Sequence, residues 1–413
     1  MLDKTHHIKF SPAQRKLDGS ERGRGTMTCL HIAIVGAHAR YLINFRSPLM
    51  QAMKACGHEI SAMAPDFDAE TRAELSAIGV TPVDISLSRT GMNPLTDLRD
   101  IVRLYQTMRR LNPDVFLGIA VKPVIYGLLA AAMARVPRRF ALVTGLGYVS
   151  SESKTLRDRV VQTAARQLYR IALHKADVVF VQNPDDANEL VARHMVAPDK
   201  VVRVNGTGVD LVAWPLMDLP GLPVTFALTA RLLAEKGVRE YVSAARRIKA
   251  KHPKVRFLLL GGIDSNPSAI GETEVASWVA EGAVEWQGHV DVRPWLAQTS
   301  VFVLPSYREG VPRSTQEALA AGRPIITTDA PGCRETVISG QNGVLVPPRD
   351  VDALVTAMLY FVENPQQVSV MGQSSRRLAE ERFDIKAINE KMIFVMGLDD
   401  DLQTNREIEM SRG

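Results

Sequence analysis

Short apolar runs recur along the chain, with helix-patterned segments between most of them. The first, "LHIAIVGAH", ends at a glycine and leads into "FRSPLMQAMKACGHEISAMAP", which reads as a helix, a glycine stop and a second strand. "GVTPVDISL", "DVFLGIA", "RRFALVTG" and "ADVVFVQN" continue the series. A second series opens with "VTFALTA" and a helix from about 237 to 250, then runs through "VRFLLLGG", "VEWQGH", "VFVLPS", "PIITTD" and "GVLVPP". Strands that are apolar throughout, alternating with helices, predict parallel sheets covered on both faces. Two such series predict two Rossmann-like α/β domains, doubly wound, at 27–205 and 206–384, joined near "NGTGVDLVAWPL". A closing segment, 385–413, contains a helix pattern in "FDIKAINEKMIFVMGL" that could lie across either domain. Residues 1–26 are polar and lack the apolar stretch of a secretory signal, so they read as a disordered extension, with Met27 an alternative start.

Composition supports this division. A chain of 413 residues exceeds one ordinary core, and 46% apolar with 23% charged residues is globular usage. The longest apolar candidate, "VIYGLLAAAMARV", is too short to span a bilayer. Cys29, Cys56 and Cys333 show no CxxC spacing, which fits a reducing cytoplasm and argues against a disulfide framework or structural zinc. His6 and His7 belong to the tail. The net charge is only +5 but unevenly spread: from Arg89 to Lys175 there are fifteen Lys or Arg against five Asp or Glu. Such an excess either is scattered over a solvated surface or attracts phosphates, whether of nucleic acid, lipid head groups or a diphosphate substrate. P-loop, GxGxxG and GxSxG patterns are absent, which removes support for ATP hydrolysis, dinucleotide redox chemistry and serine hydrolysis.

The chemistry concentrates in "PSYREGVPRSTQEALAAG". "VFVLP" before it is a buried strand, and "RSTQEALAAG" is a short helix with Gly322 at the stop and Pro324 beyond. Glu309 then lies where the strand ends, and Glu317 about two turns up the helix. In open α/β sheets the crevice beyond the carboxyl ends of the strands takes the ligand. Gly310 permits close backbone approach, Pro312 suits the first helical position, and the N–H groups of Arg313 to Thr315 offer an anion cradle. In "LTARLLAEKG", Arg231 follows a strand and Lys236 starts a helix, two cations able to grip a diphosphate. No DxD-like cluster for Mg²⁺ appears, so no metal is expected. Taken singly, these residues also fit helix caps and solvated surface.

Glu309-x7-Glu317 within "PSYREGVPRSTQEALAAGRPIITTD" resembles the carboxylate motif of family-four glycosyltransferases, retaining enzymes of the GT-B fold. "RLLAEKG", "FLLLGG", "WQGHV" and "NGVLVPPRD" follow in that family's order. "LINFRSPLMQAMKACGHEI", "SRTGMNPLTDL", "KPVIYG", "VTGLGYV" and "VQNPDD" are similar to a subgroup that adds N-acetylhexosamines or related sugars to polyprenyl-diphosphate-linked acceptors in bacterial glycan assembly. The resemblance covers roughly residues 30 to 395. It implies that Glu309 contacts donor-sugar hydroxyls, that Arg231, Lys236 and the backbone N–H groups of Gly310 and Val311 hold the diphosphate, and that Glu317 binds the ribose. Pro312 and His289 fall on the same donor side.

The first domain is then the acceptor side. The family's first-domain His is missing from "LGIAVKPVIYG", which turns attention to Lys122; Asn44 in "GAHARYLINF" and Thr144 and Gly145 in "TGLGY" border the same cleft. His38 and His289 follow strand ends, where a core or loop role is as plausible as ligand contact. The expected partners are a UDP-sugar, a polyprenyl-diphosphate-linked acceptor and an anionic membrane, with no nucleic acid and no cofactor. The expected location is the cytoplasmic face of the plasma membrane, bound peripherally through the basic region, for which Arg135, Arg138, Arg139, Arg157, Arg159 and Arg166 are candidates and "TLRDRVVQTAARQLYRIALHKA" a candidate interfacial helix. A UDP-sugar epimerase of similar two-domain architecture and a non-catalytic sugar- or lipid-binding protein are the alternatives.

Overall fold

In a computed structural model, residues 28–87, 94–146, 156–264, 266 and 268–399 are described. They form two parallel sheets. The first runs β3-β2-β1-β4-β5-β6-β7, built from His31–Val35 (β1), Glu59–Ala64 (β2), Thr81–Asp84 (β3), Val115–Ile119 (β4), Arg138–Val143 (β5), Val178–Val181 (β6) and Val201–Arg203 (β7). The second runs β10-β9-β8-β11-β12-β13, from Thr225–Thr229 (β8), Arg256–Leu260 (β9), Glu285–Trp286 (β10), Val301–Leu304 (β11), Ile325–Thr328 (β12) and Gly343–Val346 (β13). Strand order reverses beside β1 in one sheet and beside β8 in the other, the switch points where such sheets open a crevice. β7 is absent from the apolar runs of the sequence because it is a short, partly exposed edge strand.

Helices cover both faces. Ala39–Ala55 (α1) turns Leu42, Leu49, Met50 and Met53 onto one face of the first sheet. Pro94–Leu111 (α3), Val121–Met133 (α4) and Leu156–Leu173 (α5), which follow Ala69–Ala77 (α2), cover the other. In the second domain Tyr241, on Val238–Lys249, packs edge-on against Phe257, which stacks on Phe226. Tyr241 Oη donates to the carbonyls of Phe226 and Leu258 at 3.1 and 3.0 Å, so its burial leaves no unpaired polar group.

The chain crosses between domains twice. At the second crossing Val209 and Asp384 pair as a parallel bridge, with Val209 N–H donating to Phe383 O at 2.8 Å and Ile385 N–H to Val209 O at 3.1 Å. Gly208 has φ +81°, and a Cβ there would press into the Ile385 backbone, so the crossing strands need glycine. The closing helix, Ile385–Met396, buries Ile388, Met392, Ile393 and Met396 in the first domain's core. His58 Nε2 and Arg138 Nη1 then bond the carbonyls of Leu398 and Gly397, at 2.7 and 3.1 Å.

Candidate functional site: facing loops at the strand ends

Glu309 lies in the loop between β11 and the helix Arg313–Ala320. The helix starts at Arg313, as "RSTQEALAAG" reads, and Pro312 precedes it instead of holding its first position. Pro312 takes the cap position with extended backbone, φ −67° and ψ 130°, which proline favours because its ring fixes φ and disfavours a helical residue before it. Glu317, four residues after Arg313, is only a little over one turn into the helix, not two, and stays close to the loop.

Lys236 ends the 3₁₀ turn Ala234–Lys236, and its ammonium pairs with the Glu309 carboxylate. Gly237, at φ +70°, turns the chain directly into the next helix, and a Cβ there would strike the Pro305 carbonyl. Tyr307 N–H also donates to Glu235 O at 2.9 Å. These close contacts bring two of the sequence's candidates together, with side chains only 18% and 13% exposed. Arg231 lies apart from them. Its side chain is 60% exposed, and its Nη1 is 3.1 Å from Asp264 Oδ2. His289 is exposed in the loop after β10, beside Gly262.

Glu317 pairs with Arg313 one turn back, Nε to Oε1 at 2.8 Å. Burial raises its carboxyl above the usual carboxylate range, with Arg313 and Arg293 pulling the other way. Arg313 also reaches the first domain: Nη1 donates to the Asn44 carbonyl at 2.6 Å, and the guanidinium lies 5.1 Å from the Phe45 ring centroid. Asn44 thus enters the site through its backbone, while its side chain is exposed. Val311 is 5% exposed and packs into the second domain's core.

Thr144 and Gly145 meet Gly310 across the cleft. A Cβ on Gly310 would overlap the Thr144 carbonyl, and one on Gly145, whose φ is +133°, would lie 3.3 Å from Gly310 N. Lys122 sits deeper in the first domain, its Nζ 3.5 Å from Asp97 Oδ1 and 5.8 Å above the Tyr126 ring. His38 is bound to Asp66 at 3.0 Å and precedes α1. Cys333 is buried under the same loop, and burial pushes its thiol up to about 12, which makes it a core residue. Among the described residues no group of three or more His, Cys, Asp or Glu is placed to hold a metal ion.

Residues that sequence reasoning passed over complete the contact. Asn183 caps the helix Pro184–Ala192 and donates to the Gly310 carbonyl at 2.7 Å. Arg308 pairs with Asp186 and Glu189, and Arg334 pairs with Asp185 at 2.7 Å. "NPDD" carries a signal, a cap residue, proline and first-turn acids, but that signal is fully spent on starting a helix. Of the arginines expected to face a membrane, Arg138 and Arg139 are committed elsewhere. Arg138 bonds Gly397 O, and Arg139 holds the carbonyls of Lys175 and Val136 and lies 3.8 Å from Asp177. The side chain of Arg157 lies outside the described residues, and Arg159 is exposed.

Two doubly wound sheets whose strand-end loops face across a cleft form the architecture of GT-B glycosyltransferases. The chain belongs to these enzymes: residues 46–208 match the family described as glycosyl transferase 4-like domain, and residues 223–364 match glycosyl transferases group 1. It is 28% identical over 340 residues to N,N'-diacetylbacillosaminyl-diphospho-undecaprenol alpha-1,3-N-acetylgalactosaminyltransferase of Campylobacter jejuni, covering 78% of this chain and 87% of that protein. The fold is similar to a solved glycosyltransferase of Rickettsia africae, with a TM-score of 0.71 at 16% identity over 89% of this chain and 98% of the other. Anabaena HepE, solved in complex with UDP-glucose, has a TM-score of 0.68 at 16% identity over 89% and 99% of the two chains.

Proposed function

We propose that the protein transfers a sugar, an N-acetylhexosamine or related hexose, from a UDP-sugar to a polyprenyl-diphosphate-linked saccharide, with retention and without a metal. The carrying observation is the Lys236–Glu309 pair at the point where the two domains' loops meet. A carboxylate there can accept from sugar hydroxyls, and an ammonium beside it can take the diphosphate. On donor binding, Lys236 turns to the diphosphate with Arg231 and the N–H groups of Gly310 and Val311. Glu309 turns to the sugar, and Glu317 to the ribose. The acceptor named for the Campylobacter relative, an undecaprenol-linked diphosphate sugar, and the UDP-glucose bound to HepE support these classes of acceptor and donor.

In the transfer, the bond from the anomeric carbon to the β-phosphate oxygen breaks and a bond to the acceptor hydroxyl forms on the same face. The hydroxyl's proton passes to the departing phosphate oxygen, so the protein supplies position and charge stabilisation in place of a base. The two cations offset the charge that develops on the leaving diphosphate.

A lipid-linked acceptor requires the enzyme to work at a bilayer, and α3 has the surface for it. Leu95, Leu98 and Val102 are 80%, 59% and 41% exposed at one helical spacing, beside the exposed Arg99, Arg103, Arg109 and Arg110. The helix starts after β3, at the cleft end of the first sheet. An open groove of about 530 Å³ beside it is lined by Asp84, Ser86, Arg103, Gln106 and Arg110. No helix among the described residues is long and apolar enough to cross a membrane, so the reading is peripheral docking on the cytoplasmic leaflet, where nucleotide sugars are made. Incubation with a panel of UDP-sugars and a polyprenyl-diphosphate-linked saccharide tests the proposal. One sugar should move to the lipid with its anomeric configuration kept, in EDTA as well as without it; an inverted product or a strict need for Mg²⁺ or Mn²⁺ contradicts it.

A further inference from the structure

The first turn of the helix Pro184–Ala192 faces the loop that carries Glu309. Asn183, fully buried, acts in both directions: its Oδ1 accepts from Asp186 N–H at 2.8 Å, capping the helix, and its Nδ2 donates to Gly310 O at 2.7 Å and to Asp186 Oδ2 at 2.9 Å. Asp186, also fully buried, accepts from Arg308, which reaches Glu189 at 2.8 Å as well. Gln182 Oε1 and the Thr144 carbonyl close over Gly310 so tightly that a Cβ there would overlap both. Glu309 is thus flanked at 308 and at 310 by residues held from the first domain, while its own carboxylate reaches Lys236 in the second.

Capping requires only the Asn183 oxygen, and an ordinary surface ion pair requires no burial. Here a carboxylate has given up its hydration, and burial raises Asp186 against the pull of Arg308. A buried charge of this kind is tolerated only while its partner is in place. Separation of the domains removes that partner, because Arg308 belongs to the second domain and Asp186 to the first.

We infer that Arg308, Asn183 and Asp186 are positioning residues that tie closure of the two domains to the placement of Glu309 against the donor sugar. In the closed arrangement the 308–310 loop is pinned on both sides of the catalytic glutamate. When the domains part, Gly310 loses Asn183, Arg308 loses Asp186, and the loop is released. The inference rests on the reading of Glu309 as a donor-sugar contact, and it has its own signature. UDP is gripped in that reading by Arg231, Lys236 and Glu317 of the second domain, and by the N–H groups of Gly310 and Val311 on the pinned loop itself. Loosening the latch therefore lowers turnover far more than it weakens UDP, because three of these groups stay in place.

Full-length Arg308→Ala and Asp186→Asn, singly and combined, test it by kcat at saturating donor and acceptor and by UDP affinity from calorimetry. Misplacing a catalytic group by about an ångström costs on the order of tenfold to a hundredfold, so each single variant should lose that much kcat with a much smaller loss of UDP affinity. The double variant should be little worse than Arg308→Ala, because that single already removes the contact Asp186→Asn weakens, together with the one to Glu189. Asn183→Ser supplies a second line that does not depend on removing a charge. Serine keeps a capping oxygen but lacks the amide that donates to Gly310 and to Asp186, so kcat should fall while a cooperative thermal transition shows that the protein stays folded. Unchanged kcat in Arg308→Ala and Asn183→Ser overturns the inference, as do additive losses or a matching loss of UDP affinity. Wild-type turnover in Glu309→Gln would instead overturn the underlying reading of the site.

Discussion

The Lys236 ammonium and the Glu309 carboxylate form an ion pair between two neighbouring strand-end loops of the second sheet, each side chain less than one-fifth exposed. The pair stands where the first domain's Thr144–Gly145 turn closes over Gly310. Partial burial lowers the local dielectric, so either charge acts more strongly on a ligand here than on an open surface. Replacing Glu309 with Gln keeps the shape and removes the charge. Loss of such a contact costs about 2–4 kcal/mol in transition-state stabilisation, so transfer should fall by about two to three powers of ten. Thermal unfolding and initial rates on the purified variant check this, with the melting temperature expected to stay near wild type.

Lys236→Ala and Arg231→Ala should weaken UDP itself as well as the intact donor, since both are assigned to the diphosphate. Their effects should differ in size. Lys236 is mostly buried, whereas Arg231 is largely exposed and already engaged with Asp264, so solvent screens its charge. Calorimetry with UDP should show the larger loss for Lys236→Ala. Unchanged affinity in both variants would remove the diphosphate from this position.

Glu317 sets a trade between stability and binding. Burial raises its folded-state carboxyl above the ordinary value of 4.5, so the native state holds the proton more tightly than the unfolded chain does. The stabilising effect of that proton is present below the ordinary value and is lost as pH rises through the folded-state value. Glu317→Gln removes the ionisation. It should raise the melting temperature near neutral pH, and the gain should shrink as pH falls towards 4.5. The same substitution should weaken UDP through the loss of the ribose contact. Melting curves across pH check the sign; destabilisation at neutral pH would mean that the Arg313 pair outweighs the burial.

The proposed membrane docking through α3 should depend on both its apolar stripe and its arginines. Anionic lipid attracts each suitably placed Lys or Arg by about 1 kcal/mol, and salt screens that attraction. Co-sedimentation should rise with the anionic lipid content of vesicles and fall with salt. It should also fall in Leu98→Ser and in the Arg99→Glu, Arg103→Glu double variant, with UDP affinity unchanged. Equal recovery on neutral and anionic vesicles would contradict it.

Much of the second domain was legible because β8, β9, β11 and β12 are largely buried on both faces and so show as apolar runs; β10 and β13, only partly buried, fall in the runs "VEWQGH" and "GVLVPP". The Glu309 loop was legible for a related reason, since a strand end, a Gly-Pro turn and a helix start lie within a dozen residues. β7 was not, because an edge strand of three residues has little burial to print on its sequence. The latch was hidden by distance. Asn183 and Gly310 are 127 positions apart, Arg308 and Asp186 are 122 apart, and each has a sufficient local explanation. Arg138 and Arg139 misled for the converse reason: their charge is visible in sequence, but the carbonyls that hold it are not.

One measurement bears most directly on the central claim. The purified protein is mixed with a UDP-sugar and a polyprenyl-diphosphate-linked saccharide, and free UDP and glycosylated lipid are followed together, for wild type and for Glu309→Gln. In wild type, UDP should appear in step with the lipid product and only when acceptor is present, and Glu309→Gln should release almost none while still binding UDP. Equal product from Glu309→Gln, or UDP released without any sugar reaching the lipid, would contradict a transferase site built on Glu309 and Lys236.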